Sequence, residues 1–235
     1  MSDNFTHKVT VELNPKLEFT TQEEYSFWDG KIAPVFKDKK LWGFDVYLTI
    51  NGDLSNEEIQ NLAHGYLEPL ISRLSFEANV PINYSLVSVE NISKKSRVGI
   101  RKIVATAMLV KPIPMPKPES VDKMSFYTKS QMFWFKAGLS SQSVIGKITS
   151  FYKVLEWERN TTRTSATPYK IEDEFRFVRN AVSHPTITDE KTKKYLLQNI
   201  GQDFIEPHNP KHIKFLWVKE KLIEEDARRI LTGKI

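Results

Sequence analysis

At 235 residues, 40% of them hydrophobic and 11% aromatic, the chain can build one large core or two modest ones, and its lack of cysteine removes disulfides, thiolate catalysis and Cys-ligated zinc. No basic-then-apolar opening and no apolar run near the ~18 residues of a membrane span is present, so the expectation is a soluble cytoplasmic chain, neither exported nor inserted. The formal net charge is +5, and any chemistry must come from His, carboxylates, hydroxyls and cations.

The first element is a strand from Phe5 to Leu13, in which Val9, Val11 and Leu13 alternate toward one face. His7 lies at its start with no partner nearby in sequence, and a structural or exposed role is expected for it. A second strand runs from Trp42 to Ile50 and ends in the turn sequence Asn51-Gly52-Asp53. Ser55 with Glu58 three residues on forms a capping box that opens a core helix. Its predicted buried stripe is Ile59, Leu62, Tyr66, Leu67, Leu70 and Leu74, and Pro69 is expected to kink it. His64 falls beside that stripe and reads as packing or surface.

Two more strands are expected, near Tyr84 to Val89 and Lys102 to Val110. Their connection, Asn91 to Arg101, carries Lys94, Lys95, Arg97 and Arg101 with no acid, and Lys102 follows. It reads either as a phosphate-touching hairpin tip or as a solubilising loop, the commoner use of a charge run. Residues 1–111 thus form an α+β domain without a catalytic constellation. Residues 112–123 form a linker, where Pro112, Pro114, Pro116 and Pro118 favour a stiff extended spacer over a docking ligand. Up to Lys111 there are 13 Lys and Arg against 14 Asp and Glu; from Pro112 onward there are 21 against 15. The basic excess lies in the second half and favours a polyanionic partner there, although solvated helices also carry such an excess.

Residues 124–235 read as a bundle of about four or five helices, which makes the whole chain α+β. Ser125 to Ala137, holding Phe126, Tyr127, Met132, Phe133, Trp134 and Phe135, is expected to be a core helix stopped by Gly138; a base-stacking platform is the lesser reading. Ser140 or Ser141 caps the next helix, where Val144, Ile145, Ile148, Phe151, Tyr152 and Leu155 repeat at helical steps. Glu156 to Ser165, with Arg159 and Arg163, reads as a polar loop, either lining a substrate or merely connecting.

A helix from Pro168 to Pro185 follows, with Glu172, Asp173 and Glu174 near its positive end and an apolar stripe of Ile171, Phe175, Val178 and Val182. Glu172 is placed to pair with Arg176, whereas Arg179 has no carboxylate three or four residues away within its own helix. Its last turn gathers Arg179, Asn180, Ser183 and His184. After it come a helix from Asp189 to Ile200 with Lys191, Lys193 and Lys194 exposed, and one from Lys211 to Leu231 that buries Ile213, Leu216, Ile223, Ala227, Ile230 and Leu231. His208 and His212 flank Pro210, so they do not share a helix face and no metal site is expected.

The run Arg179-Asn180-Ala181-Val182-Ser183-His184 resembles the motif of the HEPN superfamily: an Arg, a polar residue directly after it, and a His a few positions on, at a helix end in an all-helical bundle. The resemblance covers roughly Ser125 to Ile235. It implies a HEPN-like bundle and metal-independent RNA cleavage by attack of the 2′-hydroxyl, in a homodimer whose two motifs line one cleft, with no cofactor. Arg179 would hold the scissile phosphate, His184 would act as general base or acid, and Asn180 would orient His184 or the phosphate. Ser183, Arg176, Arg159 and Arg163 would bind substrate. Thr186 stands where the members silenced by a nucleotidyltransferase have Tyr, a departure from that subtype. A regulatory partner or ligand would act through the N-terminal half, and a defence or stress role is what the family suggests. The rival is a non-catalytic HEPN-like module that binds RNA or nucleotides or serves as a dimerising scaffold. A purely structural bundle would have Arg179 buried and paired across helices.

Overall fold

The computed structural model describes residues 5–18, 25–27, 30–38, 40–94, 96–99, 115–184, 186–206 and 209–234. The chain is α+β and divides into two compact units, Met1–Met124 and Ser125–Ile235.

The first unit is built on an antiparallel sheet. Its strands are β1 (His7–Glu18), β2 (Tyr25–Phe27), β3 (Gly30–Lys37), β4 (Lys40–Leu48), β5 (Asn83–Asn91) and β6 (Ser96–Gly99), in the order β2-β3-β4-β1-β5-β6. Val9, Val11, Leu13 and Leu17 of β1 and Leu41, Phe44, Val46 and Leu48 of β4 are buried at alternate positions or nearly so, as one covered face requires. β1 outruns its predicted end at Leu13. Its pairing with β4 lapses between Glu12 and Leu17, and Pro15, which has no N–H to donate, sits in that gap. The sequence reading missed β2 and β3. Pro34 breaks the strand signal of β3, yet it lies beyond Ile32, the last residue of β3 that pairs with β2. The expected Asn91 to Arg101 connection is shorter, because β6 already pairs with β5 from Ser96. The strand expected from Lys102 to Val110 lies outside the described residues.

Helix α1 (Asn56–Ala78) starts as the capping box requires. The Glu58 amide donates to Ser55 Oγ at 3.3 Å and the Ser55 amide to Glu58 Oε2 at 2.8 Å. It continues through Pro69. Its buried face is Ile59, Ala63, Leu67, Leu70, Ile71 and Leu74, while Leu62 is 42% exposed and Tyr66 half-buried, so the predicted stripe is rotated toward Ala63 and Ile71. The end of the proline-rich stretch is not a spacer. Pro118 opens the short helix α2 (Pro118–Asp122) at the position where a missing N–H costs nothing, and α2 lies against α1. Pro112 and Pro114 lie outside the described residues.

The second unit is a bundle of α3 (Phe126–Ser140), α4 (Val144–Thr161), α5 (Asp173–Ser183), α6 (Glu190–Ile200) and α7 (Pro210–Thr232). α4 is its centre and touches α3, α5 and α7. Gly138 does not stop α3. It is buried where α3 crosses α4, and a Cβ there would stand 2.4 Å from a Phe151 ring carbon. Gly138→Ala is therefore expected to destabilise this unit by about 1–3 kcal/mol, measured by urea unfolding, because the Phe151 ring has to give way inside a filled core. The cap of α4 is Ser143, whose hydroxyl accepts the Gly146 amide at 2.9 Å, not Ser140 or Ser141. α4 also runs to Thr161, so Glu156 to Arg159 are helical and not loop.

The aromatics of α3 divide between core and surface. Met132 and Phe135 are buried, but Phe126 is 71% exposed, and its ring, that of Tyr127 and that of Trp157 meet at 5.7–6.0 Å. The expectation of a wholly buried run fails because residues one apart on a helix diverge by about 100°.

α7 buries His212, Leu216, Glu220, Ile223, Ala227 and Leu231; Ile213 and Ile230, expected in the core, are half-buried. Glu220 is 2% exposed, its Oε1 has no hydrogen bond among the described residues, and Lys147 Nζ stands 3.9 Å from it. Burial pushes its carboxyl above the ordinary carboxylate range, opposed by Lys147, assisted by Glu224 and opposed by Lys221. A raised folded pKa means that the contribution to stability is full below the unfolded value and is lost as pH rises through the folded one. Glu220→Gln is expected to stabilise the bundle by roughly 1 kcal/mol at neutral pH and to flatten that loss. Urea unfolding of both proteins on either side of the carboxylate range checks both.

Candidate functional site

The candidate site forms where the C-terminal turns of α4 meet α5. α5 begins five residues later than Pro168. The intervening segment is held outside the helix: the Tyr169 amide donates to Thr162 Oγ1 at 2.9 Å, the Tyr169 hydroxyl donates to Asp226 of α7, and Ile171 is buried. Burial and the Asp226 bond push the Tyr169 hydroxyl well above the ordinary tyrosine range, which keeps it a donor. Glu172 is the N-cap, with Asp173 and Glu174 in the first turn. Phe175, Val178 and Ala181 face the core, and Ala181 packs with Leu196 and Ile200 of α6; Val182, expected in the stripe, is only half-buried. The helix ends at His184, whose amide donates to the Asn180 carbonyl at 3.2 Å, and Pro185 lies outside the described residues.

Within this frame, Arg176 pairs with Asp173 at 2.9 Å and not with Glu172, which stands outside the helix as its cap. Arg179 has a partner that its own helix does not provide. Its Nη2 is 4.0 Å from Glu156 Oε1 on α4, its Nη1 donates to Asn180 Oδ1 at 3.4 Å, and its guanidinium lies 5.9 Å from the centre of the Tyr152 ring. Asn180 is half-buried and meets Arg179, while Ser183 and His184 are exposed. Among the described residues no hydrogen bond reaches the His184 side chain, from Asn180 or from any other group. Arg159 is exposed on α4, and Arg163, in the turns after it, is exposed and has no hydrogen bond or ion pair to the motif residues among those described.

Two residues that the sequence reading did not join to the motif, Tyr152 and Glu156, complete the cluster. Tyr152, Glu156 and Arg159 follow at steps of four and three and share one face of α4. Burial pushes the Tyr152 hydroxyl up, Glu156 adds to this, and Arg159, Arg179 and Arg176 oppose it, which puts three guanidiniums within electrostatic reach of one hydroxyl. Lys153 donates to Glu156 at 2.7 Å. Lys153, Arg159, Arg176 and Arg179 against Glu156 and Asp173 leave the patch with an excess of positive charge. Such a surface attracts a polyanion, and a planar guanidinium suits the two oxygens of a phosphodiester.

The other described histidines, His7, His64 and His212, have structural partners. His7 Nδ1 is 3.0 Å from Thr6 Oγ1, which itself donates to the Leu48 carbonyl, so the ring is the donor; His7 Nε2 then accepts from Asn91 Nδ2 at 3.0 Å. Nε2 thus ties β1 to β5, Nδ1 is taken by the neighbouring Thr6, and burial, with Lys94 nearby, lowers the pKa of the ring. His7 lines a cavity of about 510 Å³ with Asp53, Asn56 and Lys94. Lys94 stands 3.9 Å from Asp53, and the side chains of Lys95, Arg97, Arg101 and Lys102 lie outside the description, as does His208. His64 bonds the Tyr84 hydroxyl. His212 is buried and accepts the Glu206 amide at 3.0 Å. Among the described residues no three His, Asp or Glu are placed to hold a metal ion, and no helix is long and apolar enough to cross a membrane.

No protein-family model matches the chain, and neither does any curated protein or solved structure.

Proposed function

We propose that the C-terminal unit is a metal-independent endoribonuclease of the HEPN type, with the motif ends of two protomers forming one cleft. The observation that carries this reading is the end of α5, where Arg179 faces a net-positive patch and His184 is exposed with no described partner. In the reaction the 2′-oxygen bonds to phosphorus and the 5′-oxygen leaves. A base takes the 2′-hydroxyl proton, an acid supplies one to the leaving oxygen, and the products are a 2′,3′-cyclic phosphate and a 5′-hydroxyl. Imidazole suits both proton transfers near neutral pH, and two are needed, which is the reason for the dimer. Arg179 holds the phosphate and offsets the charge developing on its oxygens. Arg176, Arg159 and Arg163 hold flanking phosphates, and Ser183 adds a hydroxyl at the same helix end.

The test is cleavage of labelled RNA in EDTA by wild type, Arg179→Ala and His184→Ala, with oligomeric state measured by sedimentation. Cyclic-phosphate ends made by wild type and lost in both folded dimeric variants are expected. A second reading, a binding or scaffold module without turnover, is favoured by the Arg179–Glu156 contact, which gives Arg179 work to do between helices. It predicts that wild type leaves RNA intact and that His184→Ala acts on RNA affinity or on stability, with no turnover to lose.

A further inference from the structure

We infer that Glu156 is an internal counter-ion of Arg179, a carboxylate that occupies the guanidinium until a phosphodiester displaces it. The inference rests on the reading of Arg179 as a phosphate-binding group. The contact is long, at 4.0 Å, and both side chains reach water, Arg179 being 28% and Glu156 21% exposed. By its length and its access to solvent it is weak and easily exchanged. Glu156 also loses little on exchange, since Lys153 Nζ stays on it at 2.7 Å. Arg179 in turn gains, because a phosphodiester offers two oxygens to its fork where Glu156 Oε1 offers one distant oxygen. The Asn180 bond, at 3.4 Å, is too long to hold the guanidinium against that gain. Tyr152, whose ring centre lies 5.9 Å from the Arg179 guanidinium, forms the floor of the same subsite. Glu156 thus acts through Arg179, by competing with the ligand for its guanidinium.

The experiment uses the full chain and a labelled single-stranded oligodeoxynucleotide, which has no 2′-hydroxyl and cannot be cut by the proposed route. Its affinity is measured by fluorescence anisotropy over a salt series for wild type, Glu156→Gln, Glu156→Asp, Arg179→Ala and the Glu156→Gln/Arg179→Ala double variant. Glu156→Gln is expected to bind roughly threefold to tenfold more tightly at low salt, with a salt dependence steeper by about one counter-ion. Glu156→Asp, which keeps the charge, is expected to restore wild-type behaviour. The gain is expected to vanish in the double variant, since it acts through Arg179. Three results would overturn the inference: a lower melting temperature for Glu156→Gln with unchanged affinity, a gain that survives loss of Arg179, or no oligonucleotide binding by wild type at any salt. The cleavage assay is separate. Absence of cleavage with the gain intact counts against the nuclease alone, and cleavage without the gain counts against Glu156 alone.

Discussion

His184→Ala is expected to lower the single-turnover rate of RNA cleavage by about 10²–10⁴, the range for removing a positioned general acid or base, with no change in melting temperature. The split between activity and stability follows from its place in α5. The side chain is exposed, and what His184 contributes to the fold is its backbone amide, which closes the helix on the Asn180 carbonyl and is kept by Ala. Arg179→Ala is expected to cost about 10²–10³ in rate, as loss of a charge-stabilising donor does. Its stability cost is expected to stay below about 1 kcal/mol, because the contact with Glu156 is long and partly hydrated. A structural bundle makes the opposite forecast, with Arg179→Ala losing several kcal/mol in urea unfolding and nothing that depends on RNA. Rates in EDTA and unfolding curves on the same samples separate the two.

The parts of this structure that could be read in the sequence are those decided within a few residues. Ser55 with Glu58, Ser125 and Asp189 each cap a helix where local hydrogen bonding alone demands it. Misreadings begin where a distant partner outweighs a local signal. Pro168 has the chemistry of a first helical residue, but the bonds of Tyr169 to Thr162 and Asp226 hold that segment away from α5. Gly138 has the chemistry of a helix stop, but Phe151 of α4 fills the space its missing side chain leaves. Pro34 argues against a strand, yet it lies past the end of the pairing with β2. The candidate site divides in the same way. Arg179, Asn180, Ser183 and His184 are neighbours in the chain and could be grouped on sight. Glu156 and Tyr152 lie more than a helix away and become part of the cluster only when α4 and α5 pack. The link between His7 and Asn91 spans 84 residues and left no local trace.

Gly43→Ala is expected to cost the N-terminal unit about 3 kcal/mol or more, the top of the range for overfilling a core. A Cβ at this position would stand 1.9 Å from the Val11 carbonyl oxygen, 2.9 Å from its carbon and 3.1 Å from Glu12 Cα. All three are backbone atoms of the neighbouring central strand, so no side-chain rotation relieves the contact, and β1 and β4 must part. Gly43 is also where pairing changes on both sides. It faces Glu12 of β1 and Val35 of β3, and the register shifts immediately beyond each of them. A close approach of strands at such an irregularity needs a residue without a side chain. Because β1 also carries β5, separation from β4 would expose Val9, Val11, Phe44 and Val46 together. Hydrogen exchange read by mass spectrometry is the discriminating measurement, since a two-unit chain need not unfold in one step. Peptides from β1, β3 and β4 are expected to lose protection in Gly43→Ala, while those from α3 to α7 keep theirs. Protection lost equally in both sets would mean that the helical unit depends on the sheet for its stability, and the two could not then be assayed as independent folds.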